Sequence, residues 1–372
     1  MLSRIALVAL SVVASLLVLE LAVRIITAFD TNYLDEVVAR QAPTPGRELT
    51  LADLIRPSAD DLIVYGLRPG AQGRFLGQPV AINSLGMRDG ERALERRPGT
   101  FRIVGLGDSH MFGWGVRGDE TFLALLEKRL AQHFAGRSFE AWNLAVPGYN
   151  SVQEVETFAT KAPAIGPDLV IVNWVGNDMD LPNFLAKRPE VYSLRRSFLL
   201  ELIRRRARVR RGKPVKSSAL VPVEYDEHTR RFNPKVEEVP ERYRPLLGTE
   251  NMMRALDRLA ELAREYRIRP VILFDWNSPQ ADPAKAESHD PSRMAVKQRC
   301  AAQGYLVVDT EDRVLRYLKD HQLDASALRI SDSDPHPGVL RHRLIAEELF
   351  ESLVGSGLIE RPAPASSPRA GG

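Results

Sequence analysis

Residues 101–116 read FRIVGLGDSHMFGWGV. The first five, 101–105, are mostly apolar and have the length of a short buried strand. A Gly-Asp-Ser-His turn follows at 107–110, and 120–134 (ETFLALLEKRLAQHF) carries its apolar residues at helical spacing. A serine between a strand and a helix stands where open α/β sheets present reactive groups, beyond the carboxyl ends of their strands. Flanking glycines let the backbone turn sharply and let a ligand come close. By itself the stretch is equally an ordinary strand-to-helix turn capped by Ser or Asp. The rest of the chain decides.

Working outward, further strands are expected at 139–143, 168–174, 270–274 and 305–308. Helices are expected at 152–162, at 249–266 with Thr249 as its cap, and at 292–303, 311–319 and 340–353. The run DLVIVNW at 168–174 is almost continuously apolar, as a central parallel strand must be. Strand and helix alternating in this way predict a doubly wound, flavodoxin-like α/β fold: a five-stranded parallel sheet with helices on both faces. Its ligand loops would be 107–110, 145–150, 176–178 and the loop before the last helix.

That last loop, 331–338, reads SDSDPHPG. His336 lies between two prolines, which fix the backbone around it, with Asp334 two residues before and Asp332 four before. No other histidine has this setting. His110 adjoins Ser109 and is read as a pocket residue, because a ring next in sequence points away from the serine hydroxyl.

The chain has 372 residues, 44% hydrophobic and 27% charged, with a net charge of +3. This is an ordinary globular balance that identifies no partner. The single cysteine, Cys300, excludes an internal disulfide framework and a multi-cysteine metal site, and reads as a small core residue. No cofactor, metal or nucleic-acid partner is expected, and the composition leaves the oligomeric state open.

Residues 5–19 carry no charge, and the apolar character continues to Phe29, interrupted by Glu20 and Arg24. Those two are four apart on a helix and can pair. A helix over 5–29 is roughly 37 Å long, enough to cross a bilayer. Arg4 before it favours an inside N-terminus. A cleaved signal peptide is the competing reading, but no small-x-small cleavage site follows Leu19, which favours an uncleaved signal anchor. The remainder would then lie on the periplasmic or extracytoplasmic side of a bacterial cytoplasmic membrane, in single-pass topology.

The expected organisation is a transmembrane helix at 1–30 and a stalk with a small β-rich lead-in at 31–100. A catalytic domain follows at 101–355 with an insertion at about 179–247, then a disordered tail at 356–372. The lead-in would hold a hairpin turning near Gly77, and Asn83, Gly86 and Arg88 are read as a structural turn. The insertion is read as a cap over the pocket mouth. Within it, 195–216 holds ten basic residues and one acidic, Glu201, and is read as a solvated face rather than a lipid- or polysaccharide-binding one.

Gly107-Asp108-Ser109, then Gly148, then Gly176-Asn177-Asp178, then the Asp-x-His-Pro loop, occur in that order at strand ends. The pattern resembles the SGNH hydrolases, the GDSL-type esterases and lipases. With the N-terminal anchor and the Gly-Trp-Gly run after the serine, it looks like their membrane-anchored bacterial branch. The resemblance implies Ser109 as nucleophile, His336 as general base and acid, and an aspartate orienting the imidazole. It implies an oxyanion hole from the backbone N–H groups of Ser109 and Gly148 and the side-chain amide of Asn177. The family places its aspartate three residues before the histidine, but position 333 is serine. Asp334 is preferred in its place, with Asp332 as the alternative. Ala145 stands where a glycine is common, and His110 where leucine is usual. The resemblance thus implies a serine-dependent ester hydrolase acting on O-acyl esters such as acetylated glycans or lipids. An O-acyltransferase with the same triad and a non-catalytic glycan-binding scaffold are the alternatives.

Overall fold

The computed structural model describes residues 2–29, 48–186, 195–211, 220–223, 239–275 and 291–359. Residues 30–47, where the sequence suggests a stalk, parts of the insertion and the residues beyond 359 lie outside them.

The centre is a five-stranded sheet of β1 (Thr100–Leu106), β2 (Ser138–Asn143), β3 (Leu169–Trp174), β4 (Arg269–Phe274) and β5 (Leu306–Asp309), in the order β5-β4-β3-β1-β2. Every pairing is parallel, and Gly105 of β1 sits beside Asn143 of β2 and Ile171 of β3. This is the expected doubly wound sheet in its flavodoxin-like order. All of β1 and all of β3 are buried, in keeping with sequences that are apolar except at Thr100, Arg102 and Asn173.

Successive residues along each strand serve opposite faces. Ile103, Ile171 and Leu273 join one buried cluster with Leu126 and Leu130 of α3 (Phe122–His133) and Ile345 and Leu349 of α9 (Val339–Gly355). Val104, Val170 and Ile272 join another with Phe158 of α4 (Ser151–Ile165), Leu256 and Leu259 of α6 (Thr249–Glu265), and Val296 of α7 (Pro291–Ala302). Helices therefore cover both faces. Cys300 is buried in the second cluster.

Local chemistry sets the helix ends. Asn150 and Gln153 form a reciprocal capping box at the start of α4, and Gly166 closes that helix in the left-handed conformation at φ 62°. The start of α6 differs from the expectation: Gly248, at φ 94°, is the cap and Thr249 is the first helical residue, with no side-chain capping bond.

The lead-in shares the core of the sheet. Its strands Gln72–Phe75 and Gln78–Ala81 pair antiparallel around Leu76 and Gly77, the hairpin the sequence predicts. Leu54, Tyr65, Phe75 and Ile82 belong to the same buried cluster as Ile103 and Phe112. The end of the chain is also anchored further than expected. Ile359 is fully buried and its carbonyl accepts from Arg137 at 2.7 Å, so 356–359 is packed and any tail begins beyond it.

At the other end, α1 (Leu2–Phe29) is long and apolar enough to cross a membrane, and its apolar side chains are largely exposed. The insertion divides. Phe184–Ala186 pairs antiparallel with Leu220–Pro222, whereas α5 (Phe198–Arg210) packs on α1. The helical part is therefore not the cap that the sequence suggests.

Candidate active site

Strand order creates a switch point between β1 and β3, where the chain runs outward in opposite senses and leaves a crevice beyond the strand ends. The turn after β1 carries Asp108 and Ser109, and the turn after β3 carries Asn177. Asp108 Oδ1 caps the single-turn helix α2 (Ser109–Phe112) by accepting from the His110 backbone N–H at 2.8 Å. Its Oδ2 lies 3.3 Å from Ser109 Oγ and accepts from Asn177 Nδ2 at 3.1 Å. One buried carboxylate thus ties the two turns together.

His336 arrives from the opposite side on a short hairpin, β6 (Arg329–Ser331) and β7 (Asp334–Pro337). Gly115 lets this hairpin close down. It sits at φ 71°, and a Cβ there would fall 2.3 Å from Ile330 of β6. His336 Nε2 comes within 2.9 Å of Ser109 Oγ, and Nδ1 within 2.6 Å of Asp334 Oδ1. Asp332 is exposed and does not hydrogen-bond His336.

Burial pushes the His336 imidazole below its ordinary pKa. Neighbouring His110 adds to this, and together they outweigh Asp334 and Asp108, which pull upward. Burial alone would raise Asp334, but bonds from the His336 ring and backbone and from Trp114 more than offset it and keep the carboxyl low. The pair is therefore neutral imidazole beside carboxylate at neutral pH.

Gly148, after β2, has φ 78°, and a Cβ on it would lie 2.3 Å from Asn183 Cγ. The position is closed to a side chain by its own conformation and by the insertion, in addition to any demand from a ligand. The Asn183 backbone N–H donates to the Gly148 carbonyl at 3.2 Å, which fixes that loop. Ala145 is fully buried, and its N–H donates to Asn143 Oδ1 at 3.1 Å.

Three further residues, Trp114, Asp275 and Arg341, were given no role from sequence, and Arg88 and His110 gain definite partners. Trp114 stacks on His336, with ring centres 5.0 Å apart at 21°, and its Nε1 donates to Asp334 Oδ2 at 3.1 Å. Arg88, read as part of a turn, buries its guanidinium beneath the serine loop and donates to the carbonyls of Phe112, Gly113 and Val116. His110 Nδ1 pairs with Asp275 Oδ2 at 3.0 Å, and Arg341 closes on Asp275 Oδ1 at 2.8 Å. Burial would raise Asp275, but Arg341 and His110 hold it below the usual carboxylate range. Asp275 directly follows β4, so the rule that sites gather at strand ends was a signal for it. The pairing turns the His110 ring toward His336, with centres 5.7 Å apart, rather than onto the serine hydroxyl.

A cavity of about 790 Å³ opens elsewhere, between the lead-in hairpin and α3, lined by Arg88, Asp89, Arg92, Glu127 and Asn143. Arg92 pairs there with Asp89 and Glu127.

Residues 106–344 match the model of the GDSL-like Lipase/Acylhydrolase family. The chain belongs to that family. It is a carboxylic ester hydrolase of the GDSL type, acting on acyl esters. No curated protein matches the sequence. Among solved structures the GDSL-type chain is similar to TesA, at 15% identity over 68% of this chain and 97% of that one, with a TM-score of 0.39. It is similar to Axe2, an acetylxylan esterase from Geobacillus stearothermophilus, at 14% identity over 68% and 94%, with a TM-score of 0.43. A third similarity is to the acetyl xylan esterase AlAXEase, at 10% identity over 68% and 100%, with a TM-score of 0.43.

Proposed function

We propose that this GDSL-type hydrolase is a membrane-anchored serine esterase in which Ser109, His336 and Asp334 form the catalytic triad. The carrying observation is the unbroken relay from Ser109 Oγ through His336 to Asp334, at 2.9 and 2.6 Å. Asp334 accepts a hydrogen bond from Nδ1–H, which keeps the proton on Nδ1 and leaves Nε2 as the base facing the serine. Ser109 Oγ gives its proton to Nε2 and attacks the acyl carbonyl, and the tetrahedral oxyanion turns to the N–H groups of Ser109 and Gly148 and to Asn177 Nδ2. The imidazolium then protonates the leaving alkoxide. Water enters, gives its proton to Nε2 and splits the acyl-enzyme, releasing the acid and restoring Ser109. The catalytic unit is the 101–355 domain together with the lead-in and residues 356–359 that pack into its core, held outside the cytoplasm by α1.

The substrate class is an acyl ester on a bulky alcohol, such as an O-acetylated glycan or a lipid. Supporting this, the side chains of His336 and Asp334 remain 26% and 28% exposed on the rim, where a large alcohol portion can remain in solvent.

The test treats the purified protein with a fluorophosphonate and assays p-nitrophenyl acetate, comparing wild type with Ser109→Ala. Labelling and turnover that both vanish in the variant support the triad. Labelling that persists in Ser109→Ala, or turnover equal to wild type, removes Ser109. Turnover that rises only when a sugar acceptor is added identifies an O-acyltransferase instead.

A further inference from the structure

A charged pair inside an apolar membrane helix needs a reason. Glu20 and Arg24 of α1 bond to each other at 2.6 Å, and both also reach into the insertion. Glu20 Oε1 accepts from the Phe198 backbone N–H at 3.0 Å. Oε2 accepts from the Leu199 N–H and the Ser197 hydroxyl, each at 2.8 Å. These are free donors of the first turn of α5, so Glu20 caps a helix distant in sequence. The Arg24 guanidinium lies 5.1 Å over the Phe198 ring, and Val23, Phe198 and Leu202 bury one another beneath. The two helices are docked by a specific joint.

The joint also fixes a depth. Glu20 lies sixteen residues after Arg4, roughly 24 Å along the helix, so it stands near the far side of a hydrocarbon core of about 30 Å. At that level α5 turns a distinctive surface outward. At helical spacing, Leu200, Ile203 and Ala207 form a stripe opposite Phe198 and Leu202. Leu200 is 44% exposed and Ile203 54%. Exposed Arg204, Arg208 and Arg211 flank the stripe on one side, and exposed Arg206 and Arg210 on the other. The one acid of the segment, Glu201, is occupied by Arg196 and Arg205. An apolar stripe between rows of arginine is the pattern of a helix lying in the plane of a membrane interface.

We infer that α5 is an interfacial helix that lies on anionic phospholipid where α1 leaves the bilayer. Leu200 and Ile203 enter the acyl boundary, and the five arginines meet lipid phosphates. Continuity with α1 and charge complementarity select a lipid surface as the occupant. The inference rests on the proposed insertion of α1. Over 195–211 it replaces the reading of 195–216 as a solvated face, and it gives the membrane-facing domain a second contact that sets its orientation.

The experiment uses the full chain in a Cys300→Ser background, reconstituted into vesicles with or without about a third phosphatidylglycerol. A fluorophore is placed through Ile203→Cys, through Val12→Cys within the span, or through Asp119→Cys on the catalytic domain. Quenching by lipid-borne spin labels is then read. Supporting results are quenching at 12 in both lipids, severalfold stronger quenching at 203 with the anionic lipid, and none at 119. The effect at 203 should disappear when Arg204, Arg206, Arg208 and Arg210 are changed to Glu, with the circular dichroism spectrum unchanged. Quenching at 12 with none at 203 overturns the interfacial helix and leaves the anchor standing. Quenching at 203 indifferent to lipid charge and to the Arg→Glu changes overturns the arginine–phosphate contact. No quenching at 12 removes the anchor, and the inference with it.

Discussion

The indole Nε1 of Trp114 donates to Asp334 Oδ2, the oxygen not used by His336, while the same ring stacks on the His336 imidazole. One side chain thus holds both partners of the proposed charge pair. It is itself held from below by Phe75 of the lead-in, with ring centres 5.0 Å apart and perpendicular. The lead-in is therefore part of the site's support.

Trp114→Phe keeps an aromatic face for stacking and removes the donor. A hydrogen bond to a charged group contributes about 1.5 kcal/mol or more, so kcat/KM should fall roughly tenfold. Asp334 becomes more basic without the bond and holds the imidazolium more tightly, so the acid limb of the pH–rate profile should move up. The measurement is kcat/KM on p-nitrophenyl acetate across pH, and an unmoved limb with an unchanged rate discards the role.

The choice between the two aspartates is a direct contrast. Asp334→Asn removes the carboxylate that accepts Nδ1–H, and loss of the orienting acid in such triads costs roughly a thousandfold or more in kcat. Asp332 is exposed and off the relay, so Asp332→Asn should leave kcat within about twofold. Steady-state kinetics of both variants decides, and the reverse ranking would place Asp332 behind the imidazole.

The sheet was legible because its central strands are buried on both faces and so read as short, largely apolar runs, and because Gly or Asp follows most of its strands. The loops bearing Ser109, Gly148 and Asn177 followed from that rule, and His336 from the two prolines that flank it, although it lies on a hairpin strand rather than in a loop. Trp114 and the pairing of Asp275 with Arg341 were not legible for a different reason, although Asp275 itself stands at a strand end. Trp114 depends on a hairpin more than two hundred residues away closing onto it, and the Asp275–Arg341 pair joins β4 to α9 across 66 residues. Neither spacing leaves a local pattern. Glu20 was visible as a charge that helix pairing could soften, but its capping of α5 is a tertiary contact with no local trace.

His110 offers a pH test with a definite sign. Its ring depresses the His336 pKa, second to burial and against the pull of Asp334 and Asp108. His110→Leu removes that contribution, so the His336 pKa should rise. The unprotonated base is needed for attack, so the acid limb of kcat/KM should shift to higher pH, with the alkaline plateau reduced much less. Asp275 keeps Arg341 as its partner, which limits structural damage. A limb that stays in place, or shifts to lower pH, rejects the coupling.

Behind the Asn177 turn, Glu154 of α4 is buried with neither carboxyl oxygen hydrogen-bonded, and faces Asp178 and Asp108. Burial, and then repulsion from those two carboxylates, raises the Glu154 pKa well above its ordinary 4.5. Asp178 is raised for the same first reason, although the Val175 backbone N–H donates to it at 2.7 Å. An acid whose folded pKa is raised contributes stability that is full below the unfolded value and is lost as pH climbs toward the folded one. The unfolded chain gives up this proton from about pH 4.5 upward while the folded chain keeps it, a cost of up to about 1.4 kcal/mol per pH unit. Glu154→Gln holds the same shape without a titrating proton. Its melting temperature should therefore gain on wild type between about pH 5 and about pH 8. Thermal unfolding at both pH values measures the gap. A gap that stays constant or narrows means that Glu154 ionises in the folded protein as it does in the unfolded chain, and that the carboxyl cluster behind the Asn177 turn does not retain its proton.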